Sequence, residues 1–357
     1  MEKDGDKTQC SGSQIGDWVK GKMVGSGSFG TVHLAMNKAT GALFVVKSAY
    51  SEAGVQALRD EAEILESLNS PYVVGCMGRD FLTGRNGEET LHVFMEYMAG
   101  GTLSNVAENF GVLDAEVIRL YTREILHGLK YLHENGNVHC DLKCKNVLLG
   151  LNGNVKLADF GCARRINDSK KGRNFWQSIG GTPLWMAPEV LRNEGLDFAS
   201  DIWSLGCIVI EMATGKYPWG DNISNPVAAV LKIACSNEKP QFPSHFSKEG
   251  LDFLAKCLER NPKRRWSAGE LLNHPFITGN EMRNSTEKYA SSPSSILDFG
   301  LRNDKYNSAE SDTSDEELQY RNPFSTRCCG NRNRAVRRPE TQTDFWSSEG
   351  WITVRSS

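Results

Sequence analysis

The chain has 357 residues, which exceeds the roughly 100–150 residues of an ordinary domain and favours a large two-lobed enzyme or an enzyme with a tail. Hydrophobic residues make up 39% and charged residues 24%, so the composition is that of a globular protein with a sizeable core. The 41 basic and 44 acidic side chains leave a net charge of −3, which argues against a general nucleic-acid or membrane binder.

The first third of the chain is predicted to consist mainly of strands. Residues 1–16 are polar and rich in glycine, which predicts a flexible leader. Ala53–Leu68 carries apolar residues at helical spacing and therefore predicts one amphipathic helix. Short apolar runs around this helix predict strands at Trp18–Lys20, Thr31–Ala35, Leu43–Val46 and Leu91–Met95.

Helical patterns dominate from residue 115 onward. The segments predicted to be helices are Ala115–Asn135, Ser200–Thr214, Ser247–Glu259 and Ser267–His274. This order predicts an α+β fold in which a small β-rich N-lobe with one main helix, at about residues 17–98, precedes a larger helical C-lobe, at about residues 99–277. Serine-rich, acidic and arginine-rich blocks then follow one another, so residues 278–357 are predicted to form a mostly disordered regulatory tail.

The sequence gives no indication of export. The N-terminus lacks the apolar segment of a secretory signal, and the longest apolar run, Ile202–Ala213, is too short to span a bilayer. We therefore expect a cytoplasmic protein, and the arginine-rich part of the tail leaves entry into the nucleus open. The ten cysteines lack the C-x-x-C spacing of a zinc site, which predicts reduced thiols, with Cys162 buried and inert rather than oxidisable. We do not expect membrane association through the adjacent pair Cys328 and Cys329, because no hydrophobic helix lies beside it.

A glycine-rich segment lies between the first two predicted strands. Gly25–Val32 reads GSGSFGTV and fits the pattern G-x-G-x-x-G-x-V, in which glycines let backbone N–H groups approach phosphate oxygens. Taken alone, the pattern also fits a flexible hairpin turn. A dinucleotide-binding fingerprint would require a helix directly after the last glycine, whereas Thr31–Ala35 is predicted to be a strand.

Lys47 follows directly after the buried strand predicted at Leu43–Val46. Most lysines of this kind are simply solvated at the surface. The functional alternative is a phosphate-binding ammonium held by a carboxylate of the next helix, and Glu61 is best placed for that contact. Glu63 is expected to face elsewhere, because residues two apart on a helix do not share a face.

Two polar motifs, each next to short apolar strands, indicate the chemistry. The first is His139–Asn146 (HCDLKCKN) and the second is Asp159–Gly161 (DFG), with strands predicted at Val147–Leu149 and Val155–Leu157. A single aspartate could cap a turn, but that explanation does not account for two aspartates, a lysine and an asparagine in one short stretch. Carboxylate and amide oxygens that converge in this way suit Mg²⁺.

These motifs follow the protein-kinase signature in order and spacing when they are taken with the glycine loop, Lys47 and Ala187–Glu189 (APE). The chain therefore resembles a protein kinase over Trp18–Ile277. The resemblance implies a bilobal protein kinase fold and transfer of the ATP γ-phosphoryl group to a hydroxyl, with Mg²⁺ as cofactor. Lys143, two residues after Asp141, is typical of serine/threonine kinases, so the implied acceptor is a serine or threonine.

The resemblance also implies a role for each matched residue. Asp141 would accept the proton of the substrate hydroxyl, and Lys143 would neutralise charge on the transferred group. Asn146 and Asp159 would hold Mg²⁺. The positions implied to contact or surround ATP are Val24, Gly25, Ser26, Gly27, Ser28, Phe29, Gly30, Val32, Val45, Lys47, Glu61, Met95, Glu96, Met98 and Leu148.

Further roles are implied beside the adenine and beneath the catalytic loop. Met95 would be the gatekeeper, and residues 96–98 would form the hinge next to the adenine. Two implied contacts are structural: Glu189 would pair with Arg265, and Asp201 would brace the catalytic loop.

The segment Gly181–Val190 (GTPLWMAPEV) is similar to that of the sterile-family kinases. His139–Asp141 (HCD), together with Asp159–Ala163 (DFGCA), resembles the plant MEKK-like MAP kinase kinase kinases, whose partners and substrates are MAP kinase kinases. A Ste20-like kinase and a kinase-fold scaffold without turnover stay open as alternatives. We expect no nucleic-acid partner, and the sequence does not set the oligomeric state.

Cys140 stands where the family usually has an arginine that binds phosphate on the activation segment. Cysteine cannot form that charge-assisted pair. We hypothesise that activity depends less on phosphorylation of this segment, in which Ser178 is the expected phosphorylation position and Thr182 follows. In the alternative, Arg164 or Arg165 supplies the missing charge.

Overall fold

The computed structural model of the chain describes residues 15–27, 30–83, 89–166, 180–220 and 226–279. The predictions made for the leader up to residue 14 and for the tail beyond Gly279 lie outside these ranges. The same holds for Ser28, Phe29 and Ser178, which were predicted to belong to the glycine loop and the activation segment.

The N-lobe is built on an antiparallel five-stranded sheet in the order β1-β2-β3-β5-β4. Its strands are β1 (Trp18–Gly27), β2 (Gly30–Asn37), β3 (Leu43–Ala49), β4 (Cys76–Thr83) and β5 (Glu89–Glu96). Side chains alternate between the two faces of a strand, so Phe44 and Val46 share one face and Val45 and Lys47 share the other. The register of β3 therefore decides which residues reach the site.

Aromatic packing covers the outer face of this sheet. The ring of Trp18 meets those of Phe44 and Phe94 edge to face, with centroids 6.2 and 5.6 Å apart. Phe44, Phe94 and Val46 are buried, and Ile15 packs against them from the end of the leader. This cluster fixes the sheet and leaves its inner face to α1 and the site.

The helix α1 (Glu52–Glu66) packs on the inner face of the sheet. It begins after Ser51, whose side chain accepts a hydrogen bond from the backbone N–H of Gly54. Its buried stripe includes Leu58, Leu65 and, between them, Glu61. A carboxylate on the apolar side of a helix needs a partner there, and the sheet supplies one.

The C-lobe is mainly helical. Its helices are α2 (Leu103–Phe110), α3 (Ala115–Glu134), α4 (Pro188–Leu191), α5 (Ala199–Thr214), α6 (Pro226–Cys235), α7 (Lys248–Cys257), α8 (Ala268–Leu272) and α9 (Pro275–Thr278). The helix α5 forms its centre, because every residue from Ser200 to Ala213 is buried. Within the described residues, no helix is long and apolar enough to cross a membrane.

Two small antiparallel ribbons carry the loops of the site. They are β6 (Asn137–Val138) with β9 (Arg164–Arg165), and β7 (Val147–Leu149) with β8 (Val155–Leu157). The two-lobed α+β fold predicted from the sequence is confirmed. The sequence did not predict β4, α2 or α6, and it placed the end of the first helix at Leu68, whereas α1 ends at Glu66 and is capped by Ser67.

Candidate active site

One face of the sheet carries four of the predicted site residues. In the register of the central strands, Val32 lies opposite Lys47, and Val45 lies opposite Met95. Directly opposed residues on neighbouring strands share a face, as do alternate residues of one strand. Val32, Val45, Lys47 and Met95 therefore all point to the face that α1 covers.

The glycine loop is the hairpin between β1 and β2. Gly25 pairs with Val32, and Gly27 pairs with Gly30 across the turn. A Cβ atom on Gly30 would lie 2.3 Å from the main-chain oxygen of Ser48, so no larger residue fits at this position. Val24, just before the first glycine, is exposed. The glycines therefore let β2 approach β3 closely at the point where β3 carries Lys47.

Lys47 joins the sheet, α1 and the DFG segment. Its Nζ lies 2.9 and 2.7 Å from the two carboxylate oxygens of Glu61, and 2.9 Å from Oδ1 of Asp159. Glu63 is exposed, as expected from the helical spacing. One ammonium group therefore meets two carboxylates that lie 14 and 112 residues away along the chain.

The charges of Lys47 and Asp159 stabilise each other, whereas burial raises the pKa of Glu61. Burial alone would lower the pKa of Lys47, but the carboxylates of Asp159 and Glu61 outweigh it and hold that pKa above its usual range. Lys47 in turn holds the pKa of Asp159 below its usual value, against the opposing effect of burial. The ammonium and the Asp159 carboxylate are thus both ionised at neutral pH, as a site for a charged phosphate and a cation requires.

Asp141 is held by hydrogen bonds on both carboxylate oxygens. Its Oδ2 accepts from Lys143 Nζ at 2.9 Å and from Asn146 Nδ2 at 3.1 Å. Its Oδ1 accepts from the backbone N–H of Thr182 at 2.9 Å and from the Thr182 hydroxyl at 2.8 Å. Lys143 also donates to Thr182 Oγ1 at 2.6 Å. The side chain is buried and its orientation is fixed, which suits a group that must receive a proton at a defined point.

Asn146 and Asp159 lie side by side because β7 pairs with β8. The backbone N–H of Ala158 donates to the main-chain oxygen of Asn146 at 2.9 Å. Asn146 Nδ2 donates to the main-chain oxygen of Asp141 at 2.7 Å. Because the main-chain oxygen of Asp141 can only accept a hydrogen bond, the NH₂ group of Asn146 faces it, and the amide oxygen of Asn146 faces away from it. The Asp159 side chain keeps 38% of its surface exposed. This pair of oxygen donors fits Mg²⁺, which usually takes one or two protein ligands and completes its shell with water and phosphate oxygens.

The predicted hinge lies where β5 ends. Met95 and Met98 are buried, and Leu148 on β7 of the C-lobe forms a β-bridge with Thr102 of the same lobe. The Glu96 side chain does not point to the predicted adenine position: its Oε1 accepts from the backbone N–H of Gly75 and from Lys156 Nζ, each at 2.6 Å. Any contact of Glu96 with adenine must therefore use its main chain.

Asp201 holds the catalytic loop from below. Its two oxygens accept from the backbone N–H groups of His139 at 2.9 Å and Cys140 at 3.0 Å. Cys140 has a positive φ of 68°, a conformation that L residues rarely adopt and that these hydrogen bonds maintain. The bracing contact expected of Asp201 is present.

The ends of the activation segment lie close to the catalytic loop. A Cβ on Gly181, whose φ is +146°, would lie 3.0 Å from the main-chain oxygen of Cys140, so a larger residue would push Thr182 away from Asp141. At the other end, Arg165 donates to the main-chain oxygen of Glu63 at 3.2 Å. The hypothesis that Cys140 weakens dependence on phosphorylation stays a prediction.

The described cysteines are free thiols. Burial raises the pKa of Cys162 to about 12, and burial also raises the pKa of Cys140 well above its usual value. A thiol with so high a pKa is a poor nucleophile at neutral pH. The high pKa agrees with the interpretation of Cys162 as inert, but its side chain is half-buried rather than buried as expected from the sequence.

The sequence did not single out Glu211, a buried carboxyl of α5 that joins two loops of the site. Its Oε2 accepts from Trp185 Nε1 at 3.0 Å. Burial raises the pKa of Glu211 to about 7, against hydrogen bonds from Cys144 and Trp185 and the charge of Lys145, while Glu108 adds to the rise. The sequence could have revealed this residue, because Glu211 lies inside the longest apolar run of the chain and a carboxylate buried there must have a partner.

Glu211→Gln is expected to change how stability depends on pH. A carboxyl whose pKa is raised on folding binds a proton more tightly in the folded state, so it lowers the free energy of unfolding as pH rises from about 4.5 to about 7, by about 3 kcal/mol in total. Glutamine cannot ionise. The variant should therefore gain about 3 kcal/mol relative to the wild type between pH 4.5 and pH 8, measured by denaturant unfolding. A difference that is constant with pH would contradict this account.

Comparison with known proteins agrees with the fold. Residues 18–277 match the family described as "Protein kinase domain", which covers more than half of the chain. The chain belongs to the protein kinase family, and it is a protein serine/threonine kinase.

Several curated relatives are named mitogen-activated protein kinase kinase kinases. The chain is 38% identical over 346 residues to kinase kinase kinase 18 of Arabidopsis thaliana, a match that covers 95% of this chain and 99% of that protein. It is 42% identical over 265 residues to kinase kinase kinase 17 of the same plant, covering 73% of this chain and 70% of that protein. The match to kinase kinase kinase 2 (38% identity, 77% of this chain) covers 42% of that protein, so the chain spans less than half of its length.

Proposed function

We propose that the chain is an ATP- and Mg²⁺-dependent MAP kinase kinase kinase, which transfers the γ-phosphoryl group of ATP to serine or threonine residues of MAP kinase kinases. The observation that carries the catalytic part is the meeting of Lys47, Glu61 and Asp159 within hydrogen-bond distance. A lysine held between two carboxylates suits the binding of a phosphate beside a cation, which phosphate transfer requires. Similarity to kinase kinase kinase 18 over 95% of the chain supports the place in the cascade.

Each residue of the site then has a defined role in phosphate transfer. Asp141 accepts the proton of the attacking hydroxyl, and Lys143, already bonded to Asp141 and Thr182, neutralises charge on the transferred group. Lys47 holds the α- and β-phosphates. Asn146 and Asp159 are the residues that hold Mg²⁺, which supplies charge neutralisation at the phosphate oxygens when bound.

The adenine lies between apolar side chains of the two lobes, from Val32 and Val45 above and Leu148 below, with Met95 as gatekeeper and the main chain of residues 96–98 as hinge. The glycine loop, Gly25 to Gly30, covers the phosphates.

We propose a kinase domain at residues 17–277, divided into two lobes near residue 98, and a regulatory tail at residues 278–357. We also propose that the protein acts in the cytoplasm.

Lys47→Met should reduce phosphate transfer by about 10²- to 10³-fold, because it removes the cation that the carboxylates of Glu61 and Asp159 share and that would bind phosphate. The assay uses the full chain, labelled ATP and a panel of catalytically inactive MAP kinase kinases beside a generic basic substrate. Lys38→Met is the matched control, since Lys38 is exposed on the same lobe.

Three results discriminate between the hypotheses. Label on the activation loop of a MAP kinase kinase, lost with Lys47→Met and kept with Lys38→Met, is the expected result. Label on the generic substrate alone would contradict the place in the cascade and favour a Ste20-like kinase. No label on any substrate, with ATP still bound, would contradict catalysis and favour a scaffold.

A further inference from the structure

Lys145 is a second lysine on the loop that carries Asp141. It is the middle residue of the short 3-10 turn Cys144–Asn146, which the backbone N–H of Val147 closes onto the main-chain oxygen of Cys144. Cys144 and Asn146 are buried, whereas Lys145 is exposed. Successive side chains point in different directions around such a turn, so burying the first and third directs the second toward solvent. The ammonium group of Lys145 therefore stands at the surface of the catalytic loop.

The two lysines of this loop differ in how their charges are compensated. Lys143 lies 2.9 Å from a carboxylate oxygen of Asp141, so its charge has a partner at the centre of the site. Lys145 makes neither a hydrogen bond nor an ion pair with any residue in the described part of the chain. Within the described residues, the exposed face of the loop therefore carries a positive charge that has no hydrogen-bonded or ion-paired partner, four residues after the catalytic aspartate.

Glu211 lies close enough to Lys145 for the lysine charge to lower its pKa, and this carboxyl compensates that charge only in part. Its carboxyl is buried beneath the loop, where it accepts the indole N–H of Trp185. Because burial raises the pKa of Glu211 to about 7, that carboxyl carries only part of a negative charge at neutral pH. Glu108, exposed on α2, is held by the Ser104 hydroxyl at 3.0 Å.

Lys145 lies on the same loop as the residue proposed to receive the proton of the substrate hydroxyl. Trp185 is three residues from Thr182, whose N–H and hydroxyl both bond to Asp141. Glu211 thus links the loop that carries Lys145 to the buried segment that follows Thr182. Lys145 follows Asp141 by only four residues, which is at most about 14 Å of chain. A peptide that presents a hydroxyl to Asp141 brings its neighbouring residues within range of the Lys145 charge.

We propose that Lys145 selects substrates that carry an anionic side chain, a carboxylate or a phosphate, near the acceptor hydroxyl. The inference deepens the proposed kinase function and rests on it. An extended peptide advances about 3.3 Å per residue, so the anionic residue lies within about three positions of the acceptor, at most about 10 Å away. A lysine or arginine at the same position would be repelled.

The expected size of the effect is modest. Exposed charge pairs change an equilibrium about two- to fivefold, and salt screens them. The wild type should therefore phosphorylate a peptide with glutamate or phosphoserine at the preferred position with a kcat/KM about two to five times that of the neutral peptide. Lys145→Glu should reverse the order and prefer lysine at that position, and raising the salt concentration should reduce both preferences.

The test uses the full chain and serine peptides with otherwise neutral flanks, in which glutamate, phosphoserine or lysine occupies each of three positions on either side of the acceptor. Lys145→Glu is compared with Lys38→Glu, an exposed N-lobe lysine whose replacement changes the net charge by the same amount. On the neutral peptide, Lys38→Glu should stay within about twofold of the wild type. Lys145→Glu is judged by the ratio of kcat/KM on the charged peptides to kcat/KM on the neutral peptide, which cancels any general loss of activity.

Preference for both anionic residues supports recognition of negative charge in general, and preference for phosphoserine alone supports recognition of a substrate that is already phosphorylated. A wild type that does not discriminate, or a Lys145→Glu variant that keeps the wild-type order, would overturn the inference. An equal loss on every peptide with Lys145→Glu would also overturn it, because it would show a structural role. If the wild type phosphorylated no peptide and no MAP kinase kinase, the proposed function itself would fail, and this inference with it.

Discussion

Asp141→Asn is expected to reduce kcat for phosphate transfer by about 10²- to 10⁴-fold, with little change in nucleotide affinity. In the folded chain, both carboxylate oxygens of Asp141 accept hydrogen bonds, from Lys143 and Asn146 on one side and from Thr182 on the other. The amide of asparagine accepts on one side only and turns its NH₂ group toward donors on the other. The variant therefore loses the proton acceptor and also the arrangement that positions Thr182.

The measurement is initial rates with saturating ATP beside titration of a fluorescent ATP analogue. Asp114→Asn is the matched control, since Asp114 is exposed before α3 and its side chain makes no capping hydrogen bond. If Asp141→Asn kept more than about a tenth of the activity, Asp141 would not be the proton acceptor. If it lost nucleotide affinity as well, the defect would lie in folding of the loop rather than in chemistry.

The contact between Lys47 and Glu61 could be predicted because it depends on two local periods. A strand period of two sends Val45 and Lys47 to the same face, and a helix period of 3.6 separates Glu61 from Glu63. Once β3 and α1 are placed next to each other along the chain, this contact follows from the spacing. The strands β7 and β8 could be predicted from short apolar segments, and they bring Asn146 next to Asp159.

Contacts between residues far apart in sequence could not be predicted in this way. Thr182 lies 41 residues beyond Asp141, and Lys156 lies 60 residues beyond Glu96, so no periodicity relates the two ends of either hydrogen bond. These contacts depend on how the lobes and loops pack as a whole. They are also the contacts that orient Asp141 and divert the Glu96 side chain from the adenine position.

The elements that could not be predicted from the sequence lack a strong local pattern of apolar and polar residues. The strand β4 reads CMGRDFLT, in which apolar and polar residues do not alternate. The helix α2 has only eight residues, too few to form without tertiary packing, and its capping box uses Asn105 rather than the more familiar glutamate. Its position is fixed by contacts with the catalytic-loop turn and β7. Whether such short elements form depends on their packing against the rest of the fold.

Glu189→Ala is expected to lower the free energy of unfolding by about 3–5 kcal/mol and the Tm by about 6–20 °C. Arg265 donates to the two Glu189 oxygens at 2.7 and 3.1 Å, and its side chain is fully buried. The main-chain oxygens of Ala199 and Glu259 accept further N–H groups of the guanidinium, and its plane lies over Trp203. Removing the carboxylate leaves a buried cation with only neutral partners, which costs more than the net stabilisation that the pair provides.

The expected loss rests on burial, so an exposed pair is the proper comparison. Lys130 and Glu134 form an i,i+4 ion pair on α3 with 45% and 61% of their side chains exposed, and Glu134→Ala should change the unfolding free energy by no more than about 0.5 kcal/mol. Replacing both Glu189 and Arg265 with apolar residues of similar volume should recover most of the loss, because no charge then stays buried alone. Equal effects of Glu189→Ala and Glu134→Ala in denaturant unfolding would contradict this account. The pair ties the segment after Thr182 to α5 and the turn before α8, so losing it should also loosen the loop that holds Asp141.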